Sequence, residues 1–348
     1  MSNGQNAGIS AFSYLAVGRE TALATYATCT EGLDFMSNSL KTTREGKVLE
    51  QVVRNRVYAQ RINLASRTEG SLEFYYQPRQ EAANYILQNA FGEAVTSATA
   101  TGETAGGSAF THTFSVGKMD ATYPSLSINT RKGDSVTGQV FEYHGTRINE
   151  LGFSCEVDDA LKCSAGLVSM KATTTSNDIQ SGMTQSSADP LNFIGGRFSV
   201  EGTFASLTSS SFWHVQSVEY TMTNNLKSDA DSRRIGDAEL SDLPPGVLNI
   251  SLKCKMRFDT TTAYDAMVNS TELAAQLYFE GNTLPGSIIK ESLRIDLPRV
   301  FVKSGGDPEI GGPDEILSTD IEFDVLRDDS SVGGYAVKSY VTNLTSSY

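Results

Sequence analysis

Apolar and polar residues alternate along much of this chain with the period of a strand, not of a helix. In Leu72-Glu73-Phe74-Tyr75-Tyr76, the apolar Leu72, Phe74 and Tyr76 fall on one side, the pattern of a half-buried strand. Comparable runs occupy 125–130, 140–143, 151–157 and 161–170, and then 215–222, 248–258, 293–297, 300–303 and 316–326. Gly, Asn, Asp and Ser separate them, as turns require. Such segments suit antiparallel sheets with one face packed and one face wet.

Helical periodicity is confined to two segments. Over 79–91, Ala82, Ala83, Ile86, Leu87 and Ala90 make one apolar stripe, with Pro78 suited to the first turn and Gly92 to the C-terminal cap. Over 261–269, threonines can cap a shorter helix whose apolar side is Tyr264, Met267 and Val268. The stretches 93–108, 173–189 and 305–313, rich in Gly, Ser, Thr, Ala or Pro, read as loops.

The two halves repeat an order of features. Asn38-Ser39-Leu40-Lys41 recurs as Asn224-Asn225-Leu226-Lys227, and each is followed by a charged excursion with few strand signals, at 42–67 and 228–246. A strand follows (71–76, 249–258), then the helix. Ser125-Leu126-Ser127-Ile128-Asn129 recurs as Ser292-Leu293-Arg294-Ile295-Asp296, and alternating acidic segments at 150–158 and 320–328 close the two copies. The expectation is a mainly β protein of two tandem β-sandwich domains, each with one short helix, at 1–189 and 190–348, with 173–189 as the linker.

Composition narrows the function. The chain has 348 residues, 39% hydrophobic and 20% charged, enough apolar material for packed cores. No apolar run has the length of a membrane helix and no secretory leader is visible, so synthesis and use in a cytosol are expected. The net charge of −13 and the interleaving of the densest basic stretch, 54–67, with other residue types argue against a basic face for duplex DNA. Cys29 and Cys254 stand alone. A three-residue loop at 158–160 would set Cys155 against Cys163, as a disulfide or, as expected in a cytosol, as reduced packing residues. His112, His144 and His214 have no metal-ligand spacing. No phosphate-binding glycine loop and no nucleophile elbow occurs. The carboxylate pairs Asp158-Asp159 and Asp328-Asp329, like those of 307–315, fall at turns. Asp229-x-Asp231 lacks the rest of a calcium loop. No catalytic residue, metal site or cofactor is expected. Trp213, the single tryptophan, beside Phe212 and His214, is either a core residue or an interface anchor.

A duplicated sheet domain fits a ring with half as many chains as domains, three rather than six, in which sheets joined edge to edge enclose a channel. Glu73, Lys253, Lys255 and Arg257 would then face the lumen; otherwise they line a solvated strand face.

Several stretches resemble tail tube proteins of long-tailed bacteriophages. Gly145-Thr146-Arg147-Ile148-Asn149-Glu150-Leu151 is similar to their Gly-x-x-Val/Ile-Asn-Glu-Leu stretch, and Asp189-Pro190-Leu191-Asn192-Phe193 to their Glu-Pro-Phe-x-Phe junction. Gly18-Arg19-Glu20-Thr21 and Gly70-Ser71-Leu72-Glu73, the latter followed by a helix and Phe91-Gly92, resemble two further blocks. The resemblance implies a virion protein, assembled in the host cytoplasm, that stacks as rings into a hollow tail tube. DNA passes through without specific binding. The implied partners are other copies of the chain, a tape-measure protein, a terminator, baseplate or tip proteins and, in a contractile tail, a sheath; no membrane is involved. It also implies that long excursions reach the neighbouring ring. The candidates for inter-ring ion pairs are Arg44, Glu45, Lys47, Glu50, Arg54, Arg56 and Arg61 in the first, net basic, and Asp229, Asp231, Arg233, Arg234, Asp237, Glu239 and Asp242 in the second, net acidic; the opposite charges suit pairing of the two excursions with each other, and otherwise both are solvated loops. The alternatives are a β-rich receptor-binding protein of the virion surface or tail tip, and a glycan hydrolase, which would need a carboxylate pair within a cleft.

Overall fold

The computed structural model describes residues 10–50, 57–58, 60–103, 107–117, 125–134, 138–207, 212–308, 310, 312, 316–329 and 334–348. Their secondary structure is β1 (Tyr14–Arg19), β2 (Glu31–Gly32), β3 (Ser37–Asn38), β4 (Lys41–Val48), β5 (Arg61–Tyr75), α1 (Glu81–Phe91), β6 (Thr96–Thr99), β7 (Phe110–Ser115), β8 (Leu126–Lys132), β9 (Gln139–Glu156), β10 (Lys162–Ser169) and β11 (Lys171–Thr175). The second half adds β12 (Gly196–Glu201), β13 (Val215–Thr223), β14 (Asn249–Arg257), α2 (Thr262–Val268), β15 (Leu273–Thr283), β16 (Lys290–Ser304), β17 (Ser318–Val325) and β18 (Lys338–Asn343). The chain is mainly β, as its alternation predicts.

One pairing order is used twice. In the first half β1 pairs with β8, β8 with β9, β9 with β10, β10 with β5, and β5 with β3 and β4. In the second, β12 pairs with β15, β15 with β16, β16 with β17, β17 with β14, and β14 with β13. The irregularities match as well. Leu126 lies opposite Thr146 and Ile128 opposite Tyr143; Leu273 lies opposite Val300 and Ala275 opposite Leu297. Each long strand thus carries an extra residue at the same rung. A bulge of this kind bends the strand, and it lets β9 and β16 each begin in one sheet and end in another.

This register corrects two of the sequence correspondences. Residues 126–129 lie in β8 whereas 292–296 lie in β16, whose counterpart is β9. Likewise 150–156 belong to β9, but 320–325 belong to β17, the counterpart of β10. Short alternating motifs suit any half-buried strand and cannot identify which one. The halves also interlock. β7 pairs with β18, Tyr340 opposite Thr113 and Val341 opposite His112, so a strand from before residue 189 completes a sheet of the second half. A single core runs through both, from Leu15 and Phe74 to Phe198 and Phe323.

Helix α1 is buried almost all round, Asn84, Gln88 and Asn89 included. Polar residues are tolerated there because they are used: Asn84 donates to the Pro78 carbonyl (2.8 Å), and Asn89 accepts from the backbone N–H of Ile148 (2.8 Å). Gly92 ends the helix in the left-handed conformation, φ 80°, as expected. Helix α2 buries only Ala263 and Ala266. The expected loop 93–108 contains β6, and the expected linker begins inside β11.

The expected facing of Cys155 and Cys163 is also corrected. Phe153, not Cys155, lies opposite Cys163. Leu161 leaves the hairpin to pair with Tyr76 and Leu191, so the connection is longer than three residues. All four cysteines are free and buried.

Candidate functional site: the open face of the central sheet

The second parts of β9 and β16 bring the halves into one sheet. Its order is β3/β4, β5, β10, β9, β13, β14, β17, β16. The rung Phe74, Cys163, Phe153, Tyr220, Leu252, Phe323, Val302 crosses it without a break, and every one of these side chains is buried. That face is core. The alternate residues point the other way, where no element of the chain covers them among the described residues.

The four residues predicted to face a lumen, Glu73, Lys253, Lys255 and Arg257, all lie exposed on this open face. Their partners come from register, which sequence alone does not reveal. Lys253 lies between Glu219 of β13 and Glu322 of β17, and Glu322 accepts from Lys303 Nζ at 3.2 Å. Lys255 lies opposite Asp320. Opposite charges at directly facing positions contribute a few tenths to about 1 kcal/mol per pair. In the first half the face is small and polar: Ser71, Ser164, Gly152 and Ser154, with Glu73 accepting from Ser37 Oγ at 3.0 Å. Counting Glu150, Glu156 and Asp324, carboxylates outnumber cations over the whole face.

The sheet stops at two edges. At one end β3 and β4 pair only with β5; at the other, β16 from Phe301 to Ser304 pairs only with β17 among the described residues. Gly305 and Gly306, at φ +105° and +87°, turn the chain where β9, in the first half, runs on to Glu156.

The two excursions leave from the same end of the sheet. Arg44, Glu45 and Lys47 lie on β4 and Arg61 opens β5, in a two-stranded ribbon whose β4 residues are all exposed; Glu50 follows it, exposed. Arg54 and Arg56 lie outside the described residues. In the second excursion, Arg233 donates to Ala238 O (3.0 Å) and to Ser66 O of the ribbon (2.8 Å), and Ser66 N donates to Ala238 O at 2.9 Å. Asp229, Asp237 and Asp242 accept from nearby backbone N–H groups. Asp231, Arg234, Asp237 and Asp242 are exposed and Glu239 is half-buried. The basic and acidic excursions therefore meet within one chain, through backbone groups and Arg233.

At the other end lies a cavity of about 200 Å³ lined by Phe193, Phe198, Phe212, Trp213, Val215 and Phe279, with Val157 and Arg197 beside it. Half-buried Trp213 meets Phe198 edge-on at 6.2 Å and Phe323 at 6.1 Å, so it is partly core and partly open. No group of three or more His, Cys, Asp or Glu could hold a metal among the described residues. Burial pushes the thiol of Cys155 up to about 11 and that of Cys254 to about 12, far from nucleophile chemistry.

This is a β-structural protein whose main unsatisfied surfaces are a polar sheet face and two sheet edges. It belongs to the phage tail tube protein family: a family model of that description matches residues 11–325. No curated protein matches the chain. Family membership gives it a structural role in the virion tail, through self-association into a tube. No helix is long and apolar enough to cross a membrane among the described residues.

Proposed function

We propose that the chain polymerises as stacked rings into the hollow tube of a phage tail, through which DNA reaches the host, and that its halves act as two tandem tail-tube domains, so that three chains make a ring. The observation that carries this is the continuous sheet of both halves, buried on one face, polar on the other and, among the described residues, unpaired at both edges. Edge strands invite pairing with another chain. The join of β9 to β13 within the chain is the pattern for joining β16 of one copy to the β3/β4 edge of the next. Closure places Glu73, Lys253, Lys255 and Arg257 on the lumen wall, where a surplus of carboxylates repels phosphates and lets DNA slide. The tape-measure protein would fill that lumen before ejection. A terminator and baseplate or tip proteins would close the tube ends, and a contractile tail would add a sheath. Assembly would take place in the host cytoplasm.

Electron microscopy of the purified chain tests this. Hollow tubes with a regular ring repeat and threefold symmetric rings are expected; solid particles or isolated subunits at high concentration would overturn it.

A further inference from the structure

Identical units that add without limit along an axis must associate head to tail, because a face that pairs with itself closes after two copies. The surface that meets the ribbon of one ring is therefore the opposite end of the subunit in the next. The strand directions identify that end. Thr68 of β5 lies opposite Ser169 and Tyr75 opposite Lys162, so the ribbon of β4 and β5 leaves the sheet beyond Thr68, while Val157, Val215 and the Trp213 cavity lie beyond Tyr75. From Thr68 to Arg61 the ribbon projects roughly 23 Å at the rise of a β-strand.

Both ends bear exposed apolar side chains that the fold does not use. On the ribbon, Ile62 is 43% exposed, Val57 71% and Tyr58 56%; beside the cavity, Val157 is 54% exposed and Phe212 48%. The charges are complementary too. On the ribbon Arg44, Lys47 and Arg61 outnumber Glu45 and Glu50, and near the cavity the exposed Glu156, Asp158 and Asp259 outnumber Arg197. Resting on the tube reading above, we infer that the Trp213 cavity is the socket for the β4–β5 ribbon of a second copy in the adjacent ring. Apolar ribbon side chains cover Phe212 and Trp213 there, and the basic residues face the acidic rim. The two excursions cannot meet across rings in this arrangement, since they share one end and are already tied at Ser66 and Ala238.

Trp213 is the only tryptophan, so its fluorescence reports on the socket alone. On assembly, acrylamide quenching should fall about threefold as the anchor is desolvated, with a blue shift; in Ile62→Asp both changes should be lost together with stacking. A second measurement uses tubes mixed from Ile62→Cys and Val157→Cys chains. The native cysteines are buried and each chain carries one added thiol, so an oxidised dimer forms only between chains; tubes of either variant alone control for like-with-like pairs, and the dimer expected is the one found only in mixed tubes. Tubes whose Trp213 stays as quenchable as in the subunit, or mixed tubes without that dimer, would overturn the socket while leaving the tube reading intact. A wild-type chain that forms no tubes would overturn both.

Discussion

Tyr220 of β13 lies directly across from Phe153 of β9, their rings 6.5 Å apart, and this rung joins the two halves of the central sheet. Both side chains are buried. Phe153→Ala should lower the unfolding free energy by about 3–5 kcal/mol, as other large-to-small core changes do. The Tyr220 hydroxyl is buried with no hydrogen-bond partner among the described residues, a cost that phenylalanine removes. Tyr220→Phe should therefore be neutral or stabilise by about 1 kcal/mol. Urea denaturation of both variants checks the pair, and a destabilised Tyr220→Phe would mean that the hydroxyl is satisfied in solution.

Gly145 is where β9 passes from one sheet to the other. Its φ is +62°, and an added Cβ would lie 2.9 Å from Met170 Sδ. Its N–H donates at 3.0 Å to buried Glu20, which also accepts from the hydroxyls of Ser125 and Ser127. Gly145→Ala should cost about 1–2 kcal/mol for the left-handed backbone, and more for the contact with Met170. In a Met170→Ala background, whose own cavity cost is measured separately, Gly145→Ala should cost only the backbone part. A denaturant titration in which Gly145→Ala costs nothing in that background would show that the backbone carries no strain.

Much of this fold was legible in the sequence, and the gaps have physical causes. The alternation of β5, β10, β13, β14 and β17 marked the central sheet and placed Glu73, Lys253, Lys255 and Arg257 on one face. β9 reads as two strands because 144–150 lacks apolar alternation and Gly145 turns left-handed, yet strand pairing resumes on both sides of it. Pro298 breaks the alternation of β16 where pairing with β15 shifts register between Leu297 and Val300, a position that tolerates a missing N–H. β1 shows no alternation because Tyr14 to Gly18 is buried on both faces, and β4 of the ribbon shows none because it is wet on both. The carboxylates facing the predicted cations, Glu219, Asp320 and Glu322, were out of reach because register decides cross-strand neighbours.

His112 gives the seam between the halves a pH dependence. It is buried, its Nε2 lies 2.9 Å from Asn343 Oδ1 and its Nδ1 2.7 Å from Ser97 Oγ. Burial holds its pKa below the ordinary histidine value, against the opposing pull of Asn343. The unfolded chain therefore binds the proton more readily. The stability contributed by the neutral ring is present above the unfolded pKa of about 6.5 and is lost as pH falls through that value toward the folded one. Urea midpoints measured from pH 8 to 5 should decline below about pH 6.5, and His112→Leu should flatten that part of the profile. An unchanged slope in the variant would assign the decline to other groups.

The charge of the open face can be reversed without disturbing the fold. Glu150 and Asp324 are exposed there, opposite Thr223 and Ser251 rather than a cation. Glu150→Lys with Asp324→Lys should change stability by no more than about 0.5 kcal/mol per site, as for other surface substitutions. If the face lines a channel for DNA, virions carrying both should still assemble but eject DNA more slowly, and added salt should restore the rate by screening phosphate contacts. Ejection at the wild-type rate in low salt would show that this face does not meet the DNA.

The ribbon should be separable from the subunit that carries it. Gly46 lies opposite Asn63, so replacing residues 47–62 with Asn-Gly keeps a two-residue hairpin that suits the strand twist. It also leaves Ser66 bonded to Ala238. Ile62, Val48 and Arg61, all lost in this change, are exposed, so these residues take no core contact with them. The shortened chain should melt within a few degrees of the wild type, since the described residues removed contribute little burial. The central sheet and both its edges remain, so lateral closure into rings should survive while ring-on-ring stacking fails. Sedimentation velocity and electron microscopy distinguish the results: rings without tubes are expected, and full-length tubes from the shortened chain would place the axial contact elsewhere.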